Sequence, residues 1–233
     1  MRIRKGVRMA AVAAGLVMAM TGCSSSTPPQ GDDLYQQASA AYFPLAEDMH
    51  TVIMAVHSGT WEIEDGAHGA RPGGCQVGTS DEFGYRLDYV RGVQFDDIDP
   101  EAVTAAAEEA FTQVGADVES QVRGSGEREQ HVVIATSERI GRAVVTVWPA
   151  RQKVRVTAET SCLPGKSTEL TNLIFGEEKL TETSFLRLPI TETPETVPQF
   201  YFPPEGPEYI KEDGTPVDPQ PVVTDPPKAP YGS

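Results

Sequence analysis

Three cysteines, four histidines and a surplus of carboxylates are the side chains through which this chain could do chemistry. His50 and His57 stand seven residues apart, which puts them on one face of a helix, with Glu47 three residues before His50. A zinc site on them would want i, i+4 spacing or a third ligand from elsewhere, so the pair reads as surface histidines of an amphipathic helix. His68 falls in a glycine-rich stretch and His131 at the start of an apolar run, neither with an evident partner. Asp96-Asp97-Ile98-Asp99-Pro100-Glu101 lacks the alternating acids and the distal glutamate of a calcium loop. Acids in that setting suit the start of a helix, whose dipole they complement. Ser125, between Gly124 and Gly126, reads as a hairpin tip, because a nucleophile elbow needs a strand-to-helix turn. No G-x-S-x-G, H-E-x-x-H, P-loop or dinucleotide fingerprint occurs. Glu108-Glu109 and Glu177-Glu178 read as solvated faces, and Trp61 and Tyr85 as core or sheet residues. No catalytic residue, metal-ligand set or cofactor is therefore assigned, although carboxylates brought together only by the fold stay open as a pair.

Cys23 has a different setting. Residues 1–8 carry four cations and no acid, Met9 to Met20 is an apolar run of twelve, and the small Thr21 and Gly22 lead into Cys23. A basic start, a short apolar run and small residues at its end make an export signal. A membrane span would need about 20 apolar residues. Met20-Thr21-Gly22-Cys23 resembles the lipobox of bacterial lipoproteins, with Met20 standing where leucine is usual. The resemblance implies cleavage after residue 22 and a diacylglycerol thioether, with acyl chains such as palmitate, on Cys23. The alternative is an ordinary cleaved signal with an incidental cysteine. Two acyl chains anchor stably where one does not.

With residues 1–22 gone, 211 remain, enough for one domain with a core. Lys and Arg number 19 against 34 Asp and Glu. The four cations of the signal leave 15 against 34, a formal charge of −19. That charge argues against nucleic acid and against adhesion to an anionic membrane surface. Cys75 and Cys162, exported together, form one disulfide most simply. A redox pair is the alternative, without the C-x-x-C spacing that lowers a thiol pKa.

The elements that would position these groups follow from periodicity. Residues 23–32 form a polar spacer after the lipidated cysteine. Leu34, Ala38, Ala41, Leu45, Met49, Val52 and Val56 then predict one helical stripe, capped by Asp32 or Asp33, with Pro44 kinking it or starting a second helix. Trp61–Glu64 reads as a short strand, residues 66–74 as a glycine-rich turn, and Tyr85, Leu87 and Tyr89 as a half-buried strand. Asp99-Pro100-Glu101 predicts a helix start, and Gly115 its stop. Strands follow at Val118–Val122, His131–Thr136, Ala143–Trp148 and from Val154 to Cys162, with Cys162 on the inward face of Val154 and Val156. The fold class is α+β: an antiparallel sheet with two helices packed on one face, one disulfide, and a globular domain over 33–188. From Pro189, 12 of the 19 prolines fall in 45 residues with eight acids and two lysines, which predicts a disordered acidic tail over 189–233. Phe200-Tyr201-Phe202 is its one sticky spot, expected to lie against its own domain.

The run Trp61 … Gly69-Ala70-Arg71-Pro72-Gly73-Gly74-Cys75 … Gly84-Tyr85-Arg86-Leu87 … Arg91, closed by the strand to Cys162, resembles small actinobacterial lipoproteins of the LppA-like kind over residues 33 to 165. The resemblance implies location and fold style, with no active residues to carry over, and the Pro-rich tail departs from it. The expected protein is a lipoprotein tethered through Cys23 at the extracytoplasmic face of the cell membrane. There it would act as a non-enzymatic binding or scaffold module, with an envelope protein as possible partner and no nucleic acid. The rivals are an envelope hydrolase, with His50 or His57 joined to a carboxylate in the fold, and a solute-binding lipoprotein, for which one domain lacks the usual two lobes.

Overall fold

The computed structural model describes residues 27–65, 69–77, 83–175, 191–198 and 200. The signal and Cys23, His68, Glu177-Glu178 and most of the proline-rich stretch lie outside the described residues. In chain order the elements are α1 (Gly31–Val56), β1 (Trp61–Ile63), β2 (Arg71–Gln76), β3 (Phe83–Gln94), α2 (Pro100–Gln113), β4 (Asp117–Arg123), β5 (Gln130–Thr136) and β6 (Arg142–Trp148). Then come β7 (Lys153–Glu159), β8 (Leu163–Pro164), α3 (Ser167–Phe175) and β9 (Thr191–Glu192).

The fold is α+β. One sheet runs β4-β5-β6-β7-β3-β1-β9, with β2 and β8 also on β3, and every named strand pair is antiparallel. Helices cover one face, and α3 joins the two that periodicity predicts. β3 is the strand on which the rest converge. Its second half pairs with β7 on one edge and β1 on the other, and its first half lies between β8 and β2. Alternation sends Tyr85, Leu87, Tyr89, Arg91 and Val93 toward the helices, all buried, and Arg86, Asp88, Val90 and Gly92 to the opposite face.

Two clusters form the core. Leu45, Met49, Val52 and Ile53 of α1 pack with Phe111 of α2 and with Val133, Val145, Val147, Val154 and Val156 of the sheet. Leu34, Ala38 and Tyr42 pack with Tyr85 and Leu87 of β3, Leu170 and Ile174 of α3, and Phe200. Because both halves of α1 are buried, the helix runs unbroken through Pro44. Packing on both sides outweighs the roughly 3 kcal/mol that an interior proline costs. Its N-cap is Gln30, without a side-chain cap, and the Gly31 amide instead donates to Glu169 Oε1 of α3 at 2.8 Å. At α2 the expected start is present: Asp99 accepts from the amides of Glu101 and Ala102.

Two expectations are corrected. Residues 71–76, read with their neighbours as a glycine-rich turn, form β2, because Gly73, Gly74 and Pro72 lie on an outer strand where a missing side chain or amide is tolerated. Cys162 does not point into the core. β7 ends at Glu159, and the half-buried Cys75–Cys162 disulfide crosses Gly84 of β3, which pairs with Cys75 on one edge and Pro164 on the other. A Cβ at residue 84 would sit 2.9 Å from Cys162 Sγ and would collide with the Leu163 carbonyl, so only glycine lets the bridge pass. The stretch expected as an arm supplies β9 and Phe200. β9 adds to the edge of β1, and Phe200 lies among Tyr35, Tyr42 and Phe43, its carbonyl accepting from the Ala70 amide at 2.5 Å.

Candidate functional site

Two constellations of charged side chains stand out, one closed and one open. The closed one centres on Glu192. β9 sets Glu192 opposite Trp61 of β1, so both side chains enter the helix-covered face, and Glu192 is 3% exposed. β3 brings Tyr89 and Arg91 to the same place by its two-residue alternation, and α1 brings His50 and Tyr42 from above. Glu192 Oε2 accepts from Tyr89 Oη at 2.9 Å and from Arg91 Nε at 2.5 Å, while Oε1 lies 2.6 Å from His50 Nδ1. The Arg91 guanidinium, itself 4% exposed, also lies 4.0 Å from the Tyr89 ring centre.

The electrostatics follow from burial. Loss of water pushes the Tyr42 phenol up to about 12, with Arg91 opposing and Glu192 reinforcing the shift. Burial likewise raises Tyr89 well above the usual phenol range. For Arg91 burial by itself disfavours the cation, but Tyr89, Glu192 and Tyr42 together outweigh it, and its pKa is raised. The cluster thus contains a buried ion pair, with Tyr89 and Arg91 donating to one carboxylate oxygen and the His50 ring against the other. His50 is its most open member, its side chain 20% exposed. Among the described residues no serine, threonine or cysteine hydrogen-bonds His50.

Sequence reasoning looked for a carboxylate partner for His50 or His57 without naming one. The structure joins His50 to Glu192, 142 residues away. It does not add His57, which lies past the end of α1 with its ring against Trp61 and Phe95. His131 at the start of β5 faces Glu129 at 3.2 Å. Among the described residues no group of three or more histidine, cysteine, aspartate or glutamate side chains could hold a metal ion.

The open constellation lies on the sheet face that the helices leave bare. There Glu64, Asp65, Trp148, Arg151, Lys153 and Arg155 line a cleft of about 320 Å³. Trp148 and Lys153 are directly paired across β6 and β7, and Arg155 is paired with Gly92 of β3. Glu64 follows β1 and bends over Gly92. A Cβ at 92 would lie 2.6 Å from the Glu64 carboxyl carbon, so glycine makes the room. From there Glu64 accepts from Lys153 Nζ at 2.6 Å and pairs with Arg155 Nε at 2.9 Å, and Arg155 Nη2 also pairs with Asp65. The Arg151 side chain has no ion-pair partner among the described residues. Its backbone carbonyl accepts from Gln94 Nε2 at 2.7 Å. Further along the same face Arg86 pairs with Glu159 at 3.0 Å, and burial raises the pKa of Asp88 against the opposing pull of Arg86 and Arg71.

No family model matches the chain, and no curated protein matches it. Among solved structures it is similar to the crystal structure, at 2.65 Å resolution, of a DUF4853 family protein from Actinomyces odontolyticus ATCC 17982. The TM-score is 0.35 at 17% identity, over 57% of this chain and 67% of that one. A likeness at that level carries no functional argument. No helix among the described residues is long and apolar enough to cross a membrane.

Proposed function

We propose that this chain is a lipoprotein held by acyl chains on Cys23 at the extracytoplasmic face of the cell membrane, and that it works there as a non-enzymatic binding module. The observation that carries the second half is the contrast between the two constellations. The site with acid–base groups is largely buried and its carboxylate is engaged by Tyr89, Arg91 and His50, whereas the open cleft offers cations, acids and an aromatic ring, with no serine, threonine, cysteine or histidine among the residues that line it. A concave surface with one aromatic ring and a few convergent polar groups suits recognition of a ligand. The anchor rests on the lipobox-like Met20-Thr21-Gly22-Cys23 alone. Kinship with actinobacterial lipoproteins of the LppA-like kind belongs to the same proposal. It rests on Trp61, Cys75, Arg91 and Cys162, residues the structure uses as core, bridge and buried cation.

Mass spectrometry of chain extracted from expressing bacterial membranes tests the anchor: the expected N-terminus is diacylglyceryl-modified Cys23, and an unmodified residue 23 overturns it. A thermal-shift screen of the full chain tests the module, with a stabilising ligand recovered unchanged as the expected result. The second reading, an envelope hydrolase, draws on the His50–Glu192 pair. Turnover of a screened compound, abolished by His50→Ala in a folded protein, would establish it in place of the first.

A further inference from the structure

We propose that the cleft on the bare sheet face binds an acidic saccharide: a pyranose bearing one carboxylate, the carboxylate on Arg151 and a ring face against Trp148. The inference rests on reading the chain as a binding module and names the ligand class of its open cleft.

Charge is the first argument. Three cations and two carboxylates line the cleft, a local balance of +1 on a chain whose overall formal charge is −15. Glu64 and Asp65 hold Lys153 and Arg155 in place, which leaves the exposed Arg151 fork as the cleft's donor without an ion-pair partner among the described residues. A planar guanidinium matches a carboxylate through two parallel N–H bonds. A phosphate dianion fits worse, because Glu64 and Asp65 stand in the same wall and would repel the second charge. A cationic ligand would meet Arg151 unscreened.

Composition of the walls is the second argument. Trp148, half-buried on β6, is the aromatic surface of the cleft, and its cross-strand neighbour Lys153 sits beside it. One aromatic face among polar groups suits a molecule with an apolar C–H face and a rim of hydroxyls. Glu64 and Asp65 are acceptors for such hydroxyls and Lys153 and Arg155 are donors to them. A cleft of about 320 Å³ is at the low end of the size of small-molecule sites, about 300–1,000 Å³. Gly92 is the third argument. Its bare Cα lets the Glu64 carboxylate fold over the sheet to reach both Lys153 and Arg155, so these two cations are positioned beside Arg151 by contacts within the chain.

The test is calorimetric titration of the detergent-solubilised full chain with a galacturonate trisaccharide, against a neutral galactose trisaccharide, inorganic phosphate and adenosine monophosphate. The expected result is saturable uronate binding at least about tenfold tighter than that of any other probe. Arg151→Ala, an exposed change in a hairpin, should weaken uronate binding by about tenfold or more at an unchanged melting temperature. Trp148→Phe should remove the ligand-induced change in indole emission and leave only the signal of buried Trp61. Equal affinity for the neutral sugar, tighter binding of phosphate or the nucleotide, or uronate binding indifferent to Arg151→Ala each overturns the ligand class and leaves the binding-module reading intact. No uronate binding up to about 10 mM overturns the ligand class too, while the module reading falls only with turnover in the screen described for it.

Discussion

Arg91 keeps a full positive charge in a place nearly closed to water, and the residues around it explain how. Glu192 supplies the opposite charge, Tyr89 a hydroxyl and a ring face, and His50 the remaining contact to the carboxylate. Removing one partner of such a pair leaves the other uncompensated. Glu192→Ala should therefore cost about 3–5 kcal/mol in urea unfolding, whereas the apolar double replacement Arg91→Met with Glu192→Leu should cost far less. A single variant no worse than the double would show that the pair is not buried in solution. Tyr42 gives the pH counterpart. Its folded pKa, about 12, lies above the unfolded value of 10.0, so between them the unfolded chain has released a proton that the folded one keeps. Stability is then full below pH 10 and is lost as pH rises toward 12, and Tyr42→Phe should flatten that loss in alkaline melts. Glu192 itself was illegible in the sequence: a lone glutamate in a proline-rich acidic run looks like every other acid there, and its partners lie about 100 residues or more upstream.

At the scale of elements, legibility tracked how local the cause was. The start of α2 could be read because Asp99, Pro100 and Glu101 cap and begin that helix by themselves. β6 could be read because Ala143–Trp148 is nearly all apolar, and β7 because its two-residue alternation repeats along the strand. β2 could not, since its Gly and Pro residues carry turn chemistry and only pairing with β3 makes them a strand. The direction of Cys162 failed for the same reason. Extending the alternation of β7 past Glu159 ignores the break at which the chain leaves β3 at Asp88 and rejoins it as β8 at Tyr85 and Gly84. Gly84 is what permits that return. Gly84→Ala should lower stability by about 1–3 kcal/mol, because its Cβ meets the Leu163 carbonyl and the bridge sulfur, neither of which can rotate away. Chemical denaturation with the disulfide intact measures it, and a neutral result would mean that β8 is not seated on β3.

At the scale of the whole molecule, one sheet separates two kinds of surface. The helix side is largely apolar, with the Glu192 cluster set into it, and the other side carries a series of ion pairs with the cleft at the β6–β7 end. The bridge between Cys75 and Cys162 spans 87 residues, from β2 to the segment between β7 and β8. In the chain-entropy picture such a loop is worth about 4–5 kcal/mol, so reduction should lower the guanidinium midpoint markedly without changing the folded spectrum at zero denaturant. An unchanged midpoint would place the stabilisation elsewhere.

The Glu192 contact also bears on the order of synthesis. Arg91 leaves the ribosome with its whole strand, yet the group that neutralises it is made 101 residues later, after every other strand of the sheet. Until then a cation sits at what must become a dry interior. A polypeptide cut short before residue 192 holds every helix and all strands but β9 among the described residues, and lacks the carboxylate that pairs with Arg91. A chain ended at that point should be less stable and more readily cleaved than the full one, which limited proteolysis of the two side by side measures.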